Sequence, residues 1–286
     1  MKTSAAPEHD GSSAIGNATT ELGSADFQRI VDRVHSDTGI VLKPHKAVMV
    51  KSRLARRLDA LGYTTVEEYL DHLDSPNGAD EHRNFHNALT TNLTSFFRED
   101  DHFDHLREEL ARDEIKNSPR LRLWSAACST GEEPYSMAMT IASVDNVIDH
   151  CDLKILATDL DTIVLDRCRA ACYNSDRVDS VPKEYREKFF EKENDGKYKI
   201  IEKLRKKITF RHMNLLEDWP FGGDFDFIFC RNVIIYMDTE TKMSLVSRLA
   251  RKLSPGGVLY LGHSEAILKR HPLLEPEGRS VYRRIS

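Results

Sequence analysis

The sequence predicts an α/β protein: a doubly wound, mostly parallel sheet with a small antiparallel β insertion, preceded by an all-α N-terminal domain. Three observations carry this. From about residue 120 onward, short apolar runs alternate with helical patterns, as βαβ units require. Before that point only helical periodicity is visible. Between 173 and 212 the alternation breaks, and Asp195–Gly196 stands between two strand-like runs in FFEKENDGKYKII (189–201), a hairpin signal.

The elements follow in order. Residues 1–23 are rich in Ser, Ala, Gly, Thr and Asn and hold little to bury, which predicts a disordered tail. Helical spacing begins at Ser24, a candidate cap, with Phe27, Ile30, Val31 and Val34 on one stripe and Gly39 at the end. A second helix is expected over about 46–61, closed by Gly62. Thr65 and Glu68 have capping-box spacing and open a third helix that runs to Leu73. After the turn SPNG (75–78) a fourth helix runs to about Thr91. Together these form a helical domain over 24–98, and a charged helical connector covers 99–119. The α/β domain is 120–286. Its expected strands are LRLWSAA (121–127), KILATD (154–159), FDFIFCRN (225–232) and GGVLYLG (256–262), with helices at 132–145, 161–172 and 239–253 and the insertion over about 176–212.

Composition narrows the function classes. A net charge of −5 gives no overall attraction to nucleic acid or anionic membranes. No apolar run approaches the roughly 20 residues that span a bilayer. The first residues lack the apolar core of a secretory signal, and the five cysteines are odd in number without zinc-type spacing, so reduced thiols and a cytoplasmic location are expected.

Ligands of open α/β sheets sit beyond the carboxyl ends of the strands. Here those ends read AACSTGEEP, ATDLD, CRN and LGHSE. The first has the layout of a nucleotide-cradling loop, yet Glu132 and Glu133 stand where a pyrophosphate would be repelled. A donor with a sulfonium, an ammonium and no phosphate suits them. Glu132, Glu133 and Pro134 also favour a first helical turn on their own account. Asp159, at the end of the second strand, is placed to accept ribose hydroxyls, or else closes a strand-end turn. The combination favours S-adenosylmethionine over NAD.

The segments TTNLTSFFRED (90–100), WSAACSTGEEPYSMAM (124–139), ATDLD (157–161), NLLE (214–217), FDFIFCRNVIIYMD (225–238) and LGHSE (261–265) resemble the CheR family of chemotaxis-receptor methyltransferases, in order and over about Phe27 to Tyr282. The resemblance implies a Rossmann-like S-adenosylmethionine-dependent methyltransferase sheet. It implies methyl transfer to glutamate side chains of bacterial chemoreceptors, giving γ-methyl esters. Carried onto this sequence, the donor-binding positions are Asn92, Thr94, Arg98, Glu133, Asp159, Asn214, Leu215, Arg231 and Asn232. Arg98 and Tyr236 are the candidate catalytic residues, Arg98 holding a carboxylate of donor or acceptor and Tyr236 orienting the acceptor. In some members the insertion docks on a receptor's C-terminal tether peptide. Here the ENDG connection is tight, and independence from such a tether is expected.

An ionised glutamate needs no general base to attack a methylsulfonium, and the sequence offers no evident Ser/His/Asp arrangement. On the second helix Arg53, Arg56 and Arg57 share a face that is expected either to meet the glutamate-rich methylation helices or simply to be solvated. The KLRKK run (203–207) of the insertion has the same two readings. No metal is expected, since the pair His82 and His86 lacks a third ligand. Cys168 and Cys172 are read as core, and His263 and Glu265 as supports behind the site. A monomer is expected, touching membranes only through receptors. Among rivals, a nucleic-acid methyltransferase is disfavoured by RNVIIY where adenine-methylating enzymes carry a Pro-Pro-aromatic motif. A non-catalytic donor-binding regulator would be favoured by a lost donor position, and none is lost.

Overall fold

The computed structural model describes residues 22–144, 147–267 and 270–285. The expected tail, 1–23, lies outside the described residues except for Leu22 and Gly23. Helices α1 (Ser24–Thr38), α2 (Ala47–Leu61), α3 (Val66–Asp74) and α4 (Ala79–Leu89) close on a core that includes Ile30, Val50, Leu54, Tyr69 and Phe85. Thr65 and Glu68 make the capping box, and Gly39 and Gly62 end their helices in the left-handed conformation. Ser24 is the first helical residue rather than the cap, which is Gly23 with no side-chain bond.

The basic face expected on α2 is divided by the packing. Arg57 forms a two-point pair with Glu81 (2.8 and 2.7 Å), to which the Tyr69 hydroxyl also donates (2.9 Å). Arg53 donates to the carbonyls of Leu89 and Thr90 (3.1 and 2.6 Å), completing the end of α4. Of the three, only Arg56 is exposed. Arg53 and Arg57 therefore hold the bundle together and are not free for a partner.

The connector is not a spacer either. In α5 (Asp101–Ala111), Phe103, Leu106 and Leu110 are buried in the main core, and α6 (Asp113–Lys116) follows. The α/β part then runs β1 (Arg120–Ser125), α7 (Glu132–Ser143), α8 (Val147–His150), β2 (Asp152–Asp159), α9 (Thr162–Ala170), β3 (Cys172–Tyr173), α10 (Ser175–Val178), α11 (Lys183–Phe189), β4 (Phe190–Lys192), β5 (Tyr198–Ile200), α12 (Glu202–Arg205), β6 (Ile208–His212), β7 (Phe225–Cys230), α13 (Thr239–Lys252), β8 (Leu253–Leu261), β9 (Leu274–Gly278) and β10 (Val281–Arg284). The main sheet has the order β6-β2-β1-β7-β8-β10-β9, parallel through β8 and antiparallel beyond it. Side chains alternate across it. Leu123, Phe227 and Phe229 face α5 and α7, while Trp124, Ile228 and Leu259 pack on Leu245 and Leu249 of α13.

The small antiparallel sheet, β3-β5-β4, is present with its turn at Asp195–Gly196. Its limits differ from those expected. It begins at Cys172, and Ile208–His212 belongs to the main sheet, pairing with β2 from Ile155 to Asp159. Strand order reverses at β1, with β2 on one side and β7 on the other, so a crevice opens at their carboxyl ends.

Candidate active site

The crevice is a cleft open to solvent, and its walls come from both halves of the chain. Asn92, Thr94, Arg98, Glu133, Asp159, Asn214, Leu215, Arg231, Asn232 and Tyr236 all line it, together with Thr38 and Ile40 of the helical domain. The structure thus brings every sequence-predicted site residue to one place. It also shows what each side chain already holds.

After β1 the chain crosses the sheet end: Cys128 donates its N–H to Thr158 O (2.9 Å), and Ser129, at φ 48°, donates to Asp159 Oδ2 (2.8 Å). Gly131 enters α7 at φ 98°. A Cβ there would lie 2.8 Å from the Tyr173 hydroxyl and 3.0 Å from Cys168 Sγ, so the small residue is a steric necessity. The two glutamates diverge. Glu132 is fully buried away from the cleft, accepting from Thr130 Oγ1 (2.6 Å) with Arg177 Nη2 at 3.0 Å. Glu133 faces the cleft, accepting from Ser125 Oγ (2.7 Å) and Arg231 Nη1 (3.1 Å). Burial pushes its carboxyl above the usual range.

Arg231 is the hub of the far wall. Its guanidinium also reaches Glu99 Oε2 (3.0 Å) and the Arg98 carbonyl, and lies over the rings of Phe103 and Phe229 at 5.5 and 5.9 Å. Glu99 in turn accepts from Asn232 Nδ2 (3.3 Å) and the His263 N–H (3.2 Å). Behind Asn232, the fully buried Glu265 accepts from the N–H groups of Asn232, Gly262 and Ile235 at 2.7, 2.7 and 3.0 Å. Glu265 thus holds the loop after β7 from behind. His263 touches the site through its backbone, its ring bonding Asp101 instead (2.9 Å). Asn232 (φ 59°), Glu99 (φ 54°) and Phe97 (φ 52°) share the left-handed region with Ser129, so unfavourable backbone is gathered at this cleft.

Two predicted ligand side chains are partly committed. Asn92 Nδ2 donates to Asp161 Oδ2 (2.7 Å), and Asn214 Nδ2 donates to the Asp37 carbonyl (2.6 Å) of α1. Thr94 offers its carbonyl to Arg177 Nη1 (3.0 Å). Arg98 donates to Leu93 O (2.8 Å) and has no carboxylate partner among the described residues, and the Tyr236 hydroxyl has no hydrogen bond among them. Sequence reasoning missed Glu99 and Asp161. The second caps α9 and collects Asn92 and Thr90 (2.9 Å to its Oδ2), a role that the DLD sequence could have signalled as an N-cap. His82 and His86 are spent separately, on Leu73 O (2.9 Å) and Asp37 (3.0 Å). Glu99, His102 and His263 offer ligand atoms within 4.8 Å of one another, but the Arg231 charge on Glu99 opposes a cation there.

Asp159 marks the other wall. Its oxygens accept from Ser129 and Asp161 N–H groups (2.8 and 2.9 Å), and burial still pushes its carboxyl up to about 6. Arg231 answers Glu133 and Glu99, which leaves Asp159 as the cleft carboxylate with no basic side-chain partner among the described residues. A carboxylate at the end of the second strand of a sheet whose order reverses at the first fits the ribose of a nucleoside ligand such as S-adenosylmethionine. Comparison with known families narrows the class. The description "CheR methyltransferase, SAM binding domain" matches residues 92–282, and "CheR methyltransferase, all-alpha domain" matches 25–90. The chain belongs to the CheR methyltransferase family. It is 42% identical to chemotaxis protein methyltransferase 2 of Pseudomonas aeruginosa, over 96% of this chain and 99% of that one. It is 38% identical to the chemotaxis protein methyltransferase of Escherichia coli, over 91% of each chain. A probable chemotaxis protein methyltransferase of Rhizobium etli is 42% identical over 82% of this chain and 90% of that one.

Proposed function

We propose that this chain transfers a methyl group from S-adenosylmethionine to glutamate carboxylates of chemoreceptors, forming glutamyl γ-methyl esters in chemotaxis adaptation. The observation that carries this is a cleft holding an arginine and a tyrosine hydroxyl with no acidic partner among the described residues, opposite a buried carboxylate. The relatives' names supply the receptor. The donor supplies an electrophilic methyl on a cationic sulfur. Asp159 would accept ribose hydroxyls, and Met213 and Leu215 give the adenine an apolar wall. Asn92, Thr94, Asn214 and Asn232 would border the donor, and Glu133 with Arg231 would set the shape of the wall it rests on. Arg98 would hold a carboxylate and Tyr236 would orient the acceptor.

The acceptor glutamate is ionised at neutral pH, so its oxygen forms the O–CH3 bond as the S–CH3 bond breaks, leaving the electron pair on sulfur. No proton moves and no base or metal is called for. Placement and exclusion of water carry the rate. The reading puts the protein in the cytoplasm as a monomer, reaching membranes through receptor helices, and the tight turn at Asp195–Gly196 supports independence from a tether peptide. The test is tritiated donor with receptor membranes, comparing wild type with Arg98→Ala and Asp159→Ala. Base-labile label on the receptor, reduced at least tenfold in both variants, is expected. Donor binding without label on any receptor would overturn methyl transfer in favour of a donor-sensing regulator.

A further inference from the structure

The stretch that follows β6 borders the donor cleft without belonging to any helix or strand. Residues 213–219 are irregular, yet Met213, Asn214 and Leu215 line the cleft. Asn214 shapes the turn from within: its side-chain oxygen accepts the Leu216 N–H (3.0 Å) and its carbonyl accepts the Glu217 N–H (3.2 Å). The carbonyls of Leu215, Leu216 and Glu217 receive no backbone donor among the described residues.

One guanidinium serves all three. Arg248 of α13 donates through Nη1 to Leu215 O (2.7 Å) and Leu216 O (3.1 Å), and through Nη2 to Glu217 O. Its Cζ lies 4.3 Å from the centre of the Trp219 ring. Trp219 stands edge-on to the buried Trp124 (4.8 Å), whose indole N–H donates to Thr158 Oγ1 (2.9 Å), beside Asp159. Arg248 makes no ion pair among the described residues, and burial draws its pKa below the usual arginine value. A half-buried cation that binds only carbonyls is spent on the shape of that chain. Its planar fork of donors fixes three successive carbonyls more firmly than a single ammonium can.

We propose that Arg248 is a positioning residue for the adenine end of the donor site, acting through the backbone of residues 215–217 and touching neither donor nor acceptor. This rests on the reading above in which Leu215 walls the adenine. With the three carbonyls held, Leu215 keeps its place before the donor arrives, so binding has less chain to order. Asn214 depends on the same clamp, since its amide reaches the Asp37 carbonyl (2.6 Å) of the helical domain from this turn. Loss of the clamp is felt in donor and product affinity. Methyl transfer, which takes place at the other end of the donor, keeps its rate.

The test compares wild type, Arg248→Ala, Arg248→Lys and the control Arg251→Ala, an exposed arginine of the same helix. S-adenosylhomocysteine binding is measured by calorimetry and initial rates against receptor membranes, each with and without millimolar methylguanidinium. Arg248→Ala is expected to raise the product Kd and the donor KM roughly tenfold while kcat and the acceptor KM stay within about twofold. Arg248→Lys should fall between it and wild type, and the control should behave as wild type. Methylguanidinium, able to refill the vacated place over Trp219, should recover at least about threefold of the lost affinity in Arg248→Ala alone. A purely structural arginine would lower Tm without that split or that rescue. An unchanged product Kd in both Arg248 variants, or donor and acceptor KM rising together with no rescue, overturns the assignment. If Arg248→Ala does not fold, the Kd of Arg248→Lys decides, and a wild-type value overturns it. A wild type that binds product but labels no receptor overturns the transfer reading, and the Kd and rescue comparisons then decide Arg248 on their own.

Discussion

Replacing Arg231 by Met would leave Glu133 and Glu99 facing each other in a wall where the arginine side chain is only 2% exposed. Breaking a buried pair from one side costs about 3–5 kcal/mol, so a marked drop in the denaturant midpoint is expected, with partial recovery when Glu133→Gln is added. Asp159 gives a pH signature. Its carboxyl, about 3.9 in an unfolded chain, is pushed up to about 6 by burial. Between those values the folded protein keeps a proton that the unfolded chain has released. Asp159 therefore favours the fold at low pH and opposes it as pH rises through about 6. Binding a cationic donor favours the ionised form, so affinity for the donor should fall as pH drops below about 6, by up to about tenfold per unit. Calorimetry should find that slope absent in Asp159→Asn. Most of the cleft's lining falls within the sequence motifs, but Thr38, Ile40 and Met213 lie outside them. What the lining residues hold was not legible there, because Glu99 and Asp161 act on neighbours 132 and 69 positions away in sequence.

At the scale of elements, Tyr173 and Arg177 join the insertion to the donor loop, Tyr173 donating its hydroxyl to Thr130 O (2.9 Å). Arg177 of α10 holds the Thr94 carbonyl and is the cation beside the fully buried Glu132. The Arg177→Met variant is expected to weaken S-adenosylhomocysteine binding severalfold and to lower Tm, with Arg177→Lys between it and wild type. Calorimetry and thermal melts read both. The turn after β8 has a comparable constraint. A Cβ on Gly262 would sit 2.7 Å from Asn232 Nδ2 and 2.7 Å from Glu265 Oε2, displacing the groups that hold the loop after β7. The buried strands β1, β2, β7 and β8 were readable as apolar runs. Strands β6, β9 and β10 were not anticipated. In β6 only Ile208 is fully buried, and β9 carries Pro276 and buries only Leu274, so neither edge shows a strand pattern. Sequence pattern alone therefore does not separate β6 from the insertion, although it pairs with β2 in the main sheet.

Across the whole molecule, the helical domain is part of the cleft. Besides lining it through Thr38 and Ile40, it is fastened by Val41 N–H to Tyr236 O (2.7 Å), His35 to Asp238 (2.9 Å) and Asn87 Nδ2 to Thr162 Oγ1 (3.0 Å). Gly39 sits in this seam at φ 71°, and a Cβ there would meet Thr241 Cγ2 at 2.9 Å and Leu216 Cδ1 at 3.0 Å. Gly39→Ala is therefore expected to cost about 1–3 kcal/mol and to weaken product binding as well, read by melts with and without ligand. The change from helical periodicity to alternating strands and helices is plain in the sequence. The sequence does not show that α5 is core or that residues 90–98 cross the cleft, because those facts depend on packing between distant segments. A ligand held by both halves acts as a reversible staple between them. At a hundredfold excess over Kd it adds about 2.7 kcal/mol to whatever unfolding releases it. Saturating product should then draw the melting of the helical domain and of the sheet into a single transition, so the bound form unfolds as one cooperative body.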